Sequence, residues 1–276
     1  YLAQLEQTDA TEEQSADLSD IEAKIERLKA YQLKYELMQA QLAESGDTQI
    51  STTDPDTRAL LVQGQVVEVG YNQQASVDAK HNLVVATHTI NRNDRNALSR
   101  IALETKRNLK LDKFTVLADK GYHNGRELQQ VQAAGMETVV AVPTVVNSNS
   151  HGTTEAYLVS KFVYDSPSDT YTCPAGETLT TKGTWHKKTR ERDSHQFKKY
   201  RTSKCKDCAV RSLCTGRADG GREIERSEYA EYVEKNADNY KSQGKLYRKR
   251  QEINEHIFGT IKRQWNMYYT NMRTLV

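Results

Sequence analysis

Between Gly64 and Pro143 the hydrophobic pattern changes period several times, and this alternation limits the available folds more than any other feature of the chain. Val67, Val69 and Tyr71, then Val77, then Leu83 to Val85 with Thr87 and Thr89, form short β-rich runs broken by polar turn residues such as His81-Asn82. They read as paired strands. A helix is predicted from Asn93 to Leu109, with Ala97, Leu98, Ile101 and Ala102 along one face. Phe114 to Ala118 follow as a short apolar strand, Asn124 to Ala134 as another helix, and Thr138 to Val142 as a strand before Pro143. Strand, helix and strand in this order imply an α/β sheet with parallel connections.

The flanking regions differ. Residues 1–16 are polar without periodicity and read as a linker. Ser19 and Glu22 form a capping-box pattern that opens an amphipathic helix through Leu18, Ile21, Ile25 and Leu28, less regularly to Leu42, and Gly46 ends it. The Ser, Thr, Asp and Pro residues of 47–56 read as a loop and a domain boundary. Expected segments are therefore 1–53 (linker and helix), 54–143 (first part of the core), 144–245 (an insertion) and 246–276 (a closing basic helix, roughly Leu246 to Gln264, that completes the core). The chain opens on Tyr1, without a leader resembling a secretory signal, and reads as the later part of a longer protein. Charged residues make up 28% and mean hydropathy is −0.80. No apolar run approaches the roughly 20 residues of a membrane span, so a soluble chain is expected.

Net charge is only +2, but its distribution is uneven: acids crowd the first 22 residues, and bases crowd Lys182 to Arg226 and Lys245 to Arg263. The second half therefore carries the candidate nucleic-acid footprint. All 4 cysteines also fall there. Cys205 and Cys208 form a close pair, Cys214 follows, and Cys173 precedes Pro174, which supplies the four thiols a tetrahedral structural Zn²⁺ requires. Free buried thiols are the competing reading. Lys198, Lys199, Arg201, Lys204, Lys206 and Arg211 surround the pair as a basic knuckle suited to a DNA backbone, or as a merely solvated charged loop.

In open α/β sheets, ligands gather beyond the carboxyl ends of strands. Asp119 fits that position, since Thr115-Val116-Leu117-Ala118 runs straight into it. Asp78 lies on the first strand of the core among residues that alternate as sheet, where a bare carboxylate needs a partner. Two nearby carboxylates repel, and a divalent cation such as Mg²⁺ relieves the repulsion. A third acid on a helix would complete the site.

Three blocks carry a family resemblance: Gly70-Tyr71-Asn72-Gln73-Gln74-Ala75-Ser76-Val77-Asp78, Ala118-Asp119-Lys120-Gly121-Tyr122, and Asn254-Glu255-His256-Ile257-Phe258-Gly259 continuing to Trp265. In sequence and order they resemble the catalytic blocks of insertion-sequence DNA transposases with a DDE domain, over roughly Asp54 to Arg273. Tyr247, Arg250, Glu255 and Lys262 are similar to the tyrosine, arginine, glutamate, lysine signature of one branch. Arg250 lies one residue farther from the glutamate than in some branches, which leaves Arg248 as an alternative phosphate ligand. Glu252, one turn before Glu255, is the competing carboxylate.

The resemblance implies an RNase H-like mixed sheet flanked by helices, with the cysteine-bearing insertion before the catalytic helix. It further implies Mg²⁺ (or Mn²⁺) held by Asp78, Asp119 and Glu255, cleavage at transposon ends, and attack of the freed 3′-hydroxyl on target DNA. Tyr247, Arg248, Arg250, Lys262, Arg263 and Trp265 are expected to contact DNA. The partners implied are transposon-end and target DNA and further copies of the chain, with no membrane, at the nucleoid of a bacterial cytoplasm. Asn91 and Asp94 match a polar turn of the family and read as a helix cap. Two alternatives stay open: a metal-dependent nuclease without strand transfer, and a domesticated DNA-binding protein without activity.

Overall fold

The computed structural model describes residues 2–62, 66–144, 154–190, 193–217 and 220–267, so the end of the 246–276 segment lies outside the described residues. The chain is mixed α/β and forms two compact units. Among the described residues, one comprises those up to Gln73 with Thr89–Arg92, and the other Gln74–His88 with Asn93 to Met267. No described helix is long and apolar enough to cross a membrane.

In the first unit, helix α1 (Leu2–Ser45) precedes an antiparallel pair, β1 (Arg58–Val62) and β2 (Val66–Gly70). Residues 2–16 are thus helical, contrary to the linker expected from their lack of periodicity. The composition of this stretch favours helix without an apolar period: Leu, Ala, Gln and Glu dominate it, and no Gly or Pro precedes Gly46. Gly46 ends the helix as expected, at φ 63° in the left-handed region. Ile21, Ile25 and Leu28 stay exposed, while Met38 is buried. In the loop that follows, Arg58 donates to Asp47 at 2.5 Å and the Tyr71 hydroxyl donates to Asp54 at 2.9 Å.

The next elements match the predicted alternation. Strands β3 (Asn72–Val77) and β4 (Val84–Ile90) pair across a turn, and α2 (Leu98–Leu109), β5 (Thr115–Ala118), α3 (Gly125–Ala133) and β6 (Glu137–Val140) follow. β5 and β6 are parallel, in register from Thr115 opposite Glu137 to Ala118 opposite Val140, with α3 as the crossover. Leu98, Ala102, Ala118, Leu128, Val131, Met136 and Val140 form the core between these helices and strands. Among the described residues the two strand pairs are separate sheets, not one continuous mixed sheet.

Residues of the expected insertion build a sheet of their own. β7 (Val163–Asp165), β8 (Thr170–Thr172), β9 (Thr178–Thr181), β10 (His186–Arg190) and β11 (Asp193–Arg201) run in the order β10-β11-β9-β8-β7; after the short helix α4 (Arg211–Cys214), β12 (Ile224–Ser227) joins β11. Its core is Phe162, Tyr171, Leu179, Tyr200 and Ile224. Asp169, in the left-handed region at φ 49°, accepts from Tyr200 at 2.6 Å, Tyr164 at 2.8 Å and Lys198 at 2.8 Å. Lys198 first, then Tyr200, hold its carboxyl down to about 2.

The chain then returns to the first core. α5 (Ala230–Ser242) precedes α6 (Gly244–Gly259), which continues as a π turn over Thr260–Gln264. α5 falls inside 144–245 yet packs on β6 and α3. Asn236, fully buried, mimics a neighbouring strand: its Oδ1 accepts from Val140 N and its Nδ2 donates to Val140 O, both at 2.9 Å. Replacing this carboxamide strands two buried backbone groups, at a cost of roughly 1–3 kcal/mol for each. Asn236→Ala is therefore expected to destabilise the chain by about 2–6 kcal/mol, read as a lower urea midpoint at unchanged slope. Asn236→Asp, which sets a buried carboxylate oxygen against the Val140 carbonyl, should cost at least as much at neutral pH.

Candidate active site

Asp119 follows the last residue of β5 and caps the 3-10 turn Lys120–Tyr122, accepting from Gly121 N at 2.8 Å. A second carboxylate faces it. A β-carbon built on Gly121 would lie 3.0 Å from Oδ1 of Asp119 and 3.1 Å from Oδ2 of Asp94, so the absence of a side chain at 121 lets the two acids approach. Gln74, 2% exposed, links Asp94 to Tyr122: its Nε2 donates to Asp94 Oδ1 at 2.9 Å, and its Oε1 accepts from the Tyr122 hydroxyl. Burial first, and then the charges of Asp94 and Asp119, raise the Tyr122 phenol above its ordinary value, with Arg250 opposing. Asp119, Asp94, Gln74, Tyr122 and Arg250 thus form one polar neighbourhood.

Asp78 is elsewhere engaged. It sits at the β3–β4 turn, where Oδ1 accepts from Lys80 N at 3.2 Å and Oδ2 accepts from His81 N at 2.9 Å. Oδ2 also lies 2.7 Å from the His81 ring Nδ1. The Lys80 N–H first, then His81, hold its carboxyl below the usual range. No described hydrogen bond or ion pair joins Asp78 to Asp119 or Glu255.

On α6, Glu255 and Glu252 are both exposed. Tyr247 meets Tyr240 edge-on at 4.8 Å, and the Arg250 guanidinium lies 5.4 Å from the Tyr247 ring with a buried Nε that has no hydrogen-bond partner among the described residues. Arg248 is exposed. Lys262 and Arg263 lie in the π turn, closed by Trp265 N donating to Thr260 O at 3.0 Å, and all three side chains are exposed. The α-helical face expected to carry both Glu255 and Lys262 therefore ends at Gly259. Among the described residues, no three His, Cys, Asp or Glu side chains are placed to hold a metal ion.

The four cysteines are gathered more closely. Cys173, Cys205, Cys208 and Cys214 are free thiols that line one cavity of about 20 Å³, together with Phe162, Leu179 and Arg222. Cys173 sits at a tight turn in which Gly176 N donates to its carbonyl at 2.9 Å and Glu177 N donates to its Sγ at 3.3 Å. Burial first raises the Cys214 thiol, and the other three cysteines add to the rise. Much of the basic knuckle is neutralised locally: Lys198 pairs with Asp169, Lys199 and Arg201 with Glu223, and Lys204 with Glu177.

Sequence reading singled out Asp119, Arg250 and the cysteines but assigned no site role to Gln74 or Asp94. Both lie in stretches already marked, Gln74 in the first block and Asp94 in the polar turn; pairing them needed the fold. A pH dependence follows from Tyr122. With its folded pKa raised, the folded chain keeps a proton that the unfolded chain loses above about pH 10. The stability it contributes is therefore whole below that pH and declines as pH rises further. Between about pH 9 and about pH 11, Tyr122→Phe should lose less of its urea midpoint than the parent does. Identical losses in the two proteins would refute the role of this phenol.

No curated protein and no solved structure matches the chain. A family model described as a transposase DDE domain matches residues 172–276, a stretch that contains all four cysteines, α5 and α6 with Glu255, and this match supports a DDE transposase.

Proposed function

We propose that the chain is the catalytic region of a DNA transposase that cleaves transposon ends and joins the freed 3′-hydroxyl to target DNA. The observation that carries this reading is the transposase DDE match over α6 and the third sequence block, in a chain that also has Asp119 at the carboxyl end of a parallel strand. Asp78, Asp119 and Glu255 are its proposed acids, and Tyr247, Arg248, Arg250, Lys262, Arg263 and Trp265 its DNA-contacting residues. Chemistry of this class uses a divalent cation, Mg²⁺ or Mn²⁺. As they stand, the three acids do not converge on a shared ion. One observation favours Asp94 as an acid of the site: it faces Asp119 across Gly121.

The four thiols suit a structural Zn²⁺ in number, in chemistry and in sharing one cavity, although they do not yet close on a single point. Transposon-end DNA and target DNA are the proposed partners, with two or more copies of the chain assembled on them at a bacterial nucleoid.

The test is a cleavage and joining assay on DNA carrying the element's ends, with Mg²⁺ or Mn²⁺. The parent is expected to cleave and join, and Asp119→Ala and Glu255→Ala to fall to background. Cleavage without joining would identify a nuclease, and DNA retention with neither reaction a silent binding protein. If Asp78→Ala keeps full activity while Asp94→Ala loses it, Asp94 replaces Asp78 among the acids.

A further inference from the structure

Arg222 is a charged side chain with little to satisfy it. It is 3% exposed, and its Nε and Nη2 are buried without a hydrogen-bond partner among the described residues. Burying a cation unpaired is among the costliest arrangements a protein can keep. The side chain lines the cavity formed by Cys173, Cys205, Cys208 and Cys214, with the Phe162 ring 5.9 Å away. Its position is fixed by the preceding residue: Gly221 is pressed against Cys205, and a β-carbon there would collide with the Cys205 side chain, 2.9 Å from Sγ. The acids nearby in sequence are otherwise occupied, since Glu223 pairs with Lys199 and Arg201, and Glu225 with Lys188.

Neutral thiols are weak acceptors, and neither Nε nor Nη2 of Arg222 has a sulfur within hydrogen-bonding reach. Four thiolates around one divalent ion reverse the situation. They carry four negative charges against two positive ones, so the centre is an anion of formal charge −2 in an apolar pocket, and a buried cation on the same cavity offsets that excess.

We propose that Arg222 is the counter-cation of a four-cysteine metal centre, its buried guanidinium offsetting the excess charge of the thiolates across the cavity they share. The inference rests on the zinc reading of the cysteines, and it assigns the unpaired guanidinium a role that neither the cysteine spacing nor the transposase reading supplies. Arg222 is a positioning residue that acts through the ligands and does not touch DNA in this role.

The test uses the full chain, reduced, with Zn²⁺ or Co²⁺ as the probe. Stoichiometry and affinity are read by competition with a chromophoric chelator, and thiolate ligation by the sulfur-to-cobalt charge-transfer band. The parent should bind one ion. Arg222→Met should weaken binding by about 10–100-fold, the usual cost of losing a group that supports metal ligands. Arg222→Lys, which keeps the charge, should bind more tightly than Arg222→Gln, which keeps N–H donors alone. A second readout moves the other way: the metal-free Arg222→Met chain should have a higher urea midpoint than the metal-free parent, because an unpaired buried cation is gone. Equal affinity in the parent and Arg222→Met, or in the Lys and Gln variants, overturns the counter-cation role while the zinc reading stands. Absence of stoichiometric metal in the parent overturns both. Should Arg222→Met fail to fold, the Lys and Gln pair decides.

Discussion

The parallel pairing of β5 with β6 is the constraint on which the candidate active site depends. It fixes where the chain releases Asp119, at the end of Ala118, and it requires α3 to cross over and bury Leu128 and Val131. A pair this short leaves its outer edge open. Asn236 closes that edge with two hydrogen bonds to Val140, so a helix 96 residues farther along the chain does the work of another strand. The second core segment is thus tied to the first along α5 and just beyond it, where Asn239 donates to Thr138 O and Gln243 to Glu137 beside the Asn236 bonds, and α6 follows α5 directly, bringing Arg250 near Tyr122.

The alternation from Gly64 to Pro143 was legible because buried strands and half-buried helices write different periods into a sequence. Helix α1 was only half legible: among its residues whose side chains are described only Met38 is buried, which leaves little period to read. The six-stranded sheet was missed for another reason. Its strands are mostly three to five residues long and are rich in Thr, Lys and Tyr, so they offer little contrast with polar loops.

At the site, spacing identified residues but not their company. Asp119 announced itself by ending an apolar strand. Asp78 had the same credentials in one dimension, yet its carboxylate caps the β3–β4 turn through Lys80 and His81. Asp94 looked like a cap and faces Asp119 instead, because α2 and the turn after β5 fold back together, a relation no local pattern encodes. The cysteines lay between these extremes: their number and clustering were visible, while Arg222, a lone arginine in a basic stretch, gave no sign that it would be buried among them.

The ion pairs along β11 bear on how such a surface can meet a polyanion. Lysine and arginine on an open surface hold a loose atmosphere of small anions, and the entropy of releasing ions drives much of nucleic-acid binding. Lys198, Lys199, Arg201 and Lys204 instead hold carboxylates of their own chain. A phosphate arriving there exchanges one fixed anion for another and frees a tethered side chain, not an ion, to solvent. Each of these cations therefore contributes less to the salt dependence of binding than a count of basic residues suggests. The exposed cations of α6 and its π turn, Arg248, Lys262 and Arg263, retain the full counterion term.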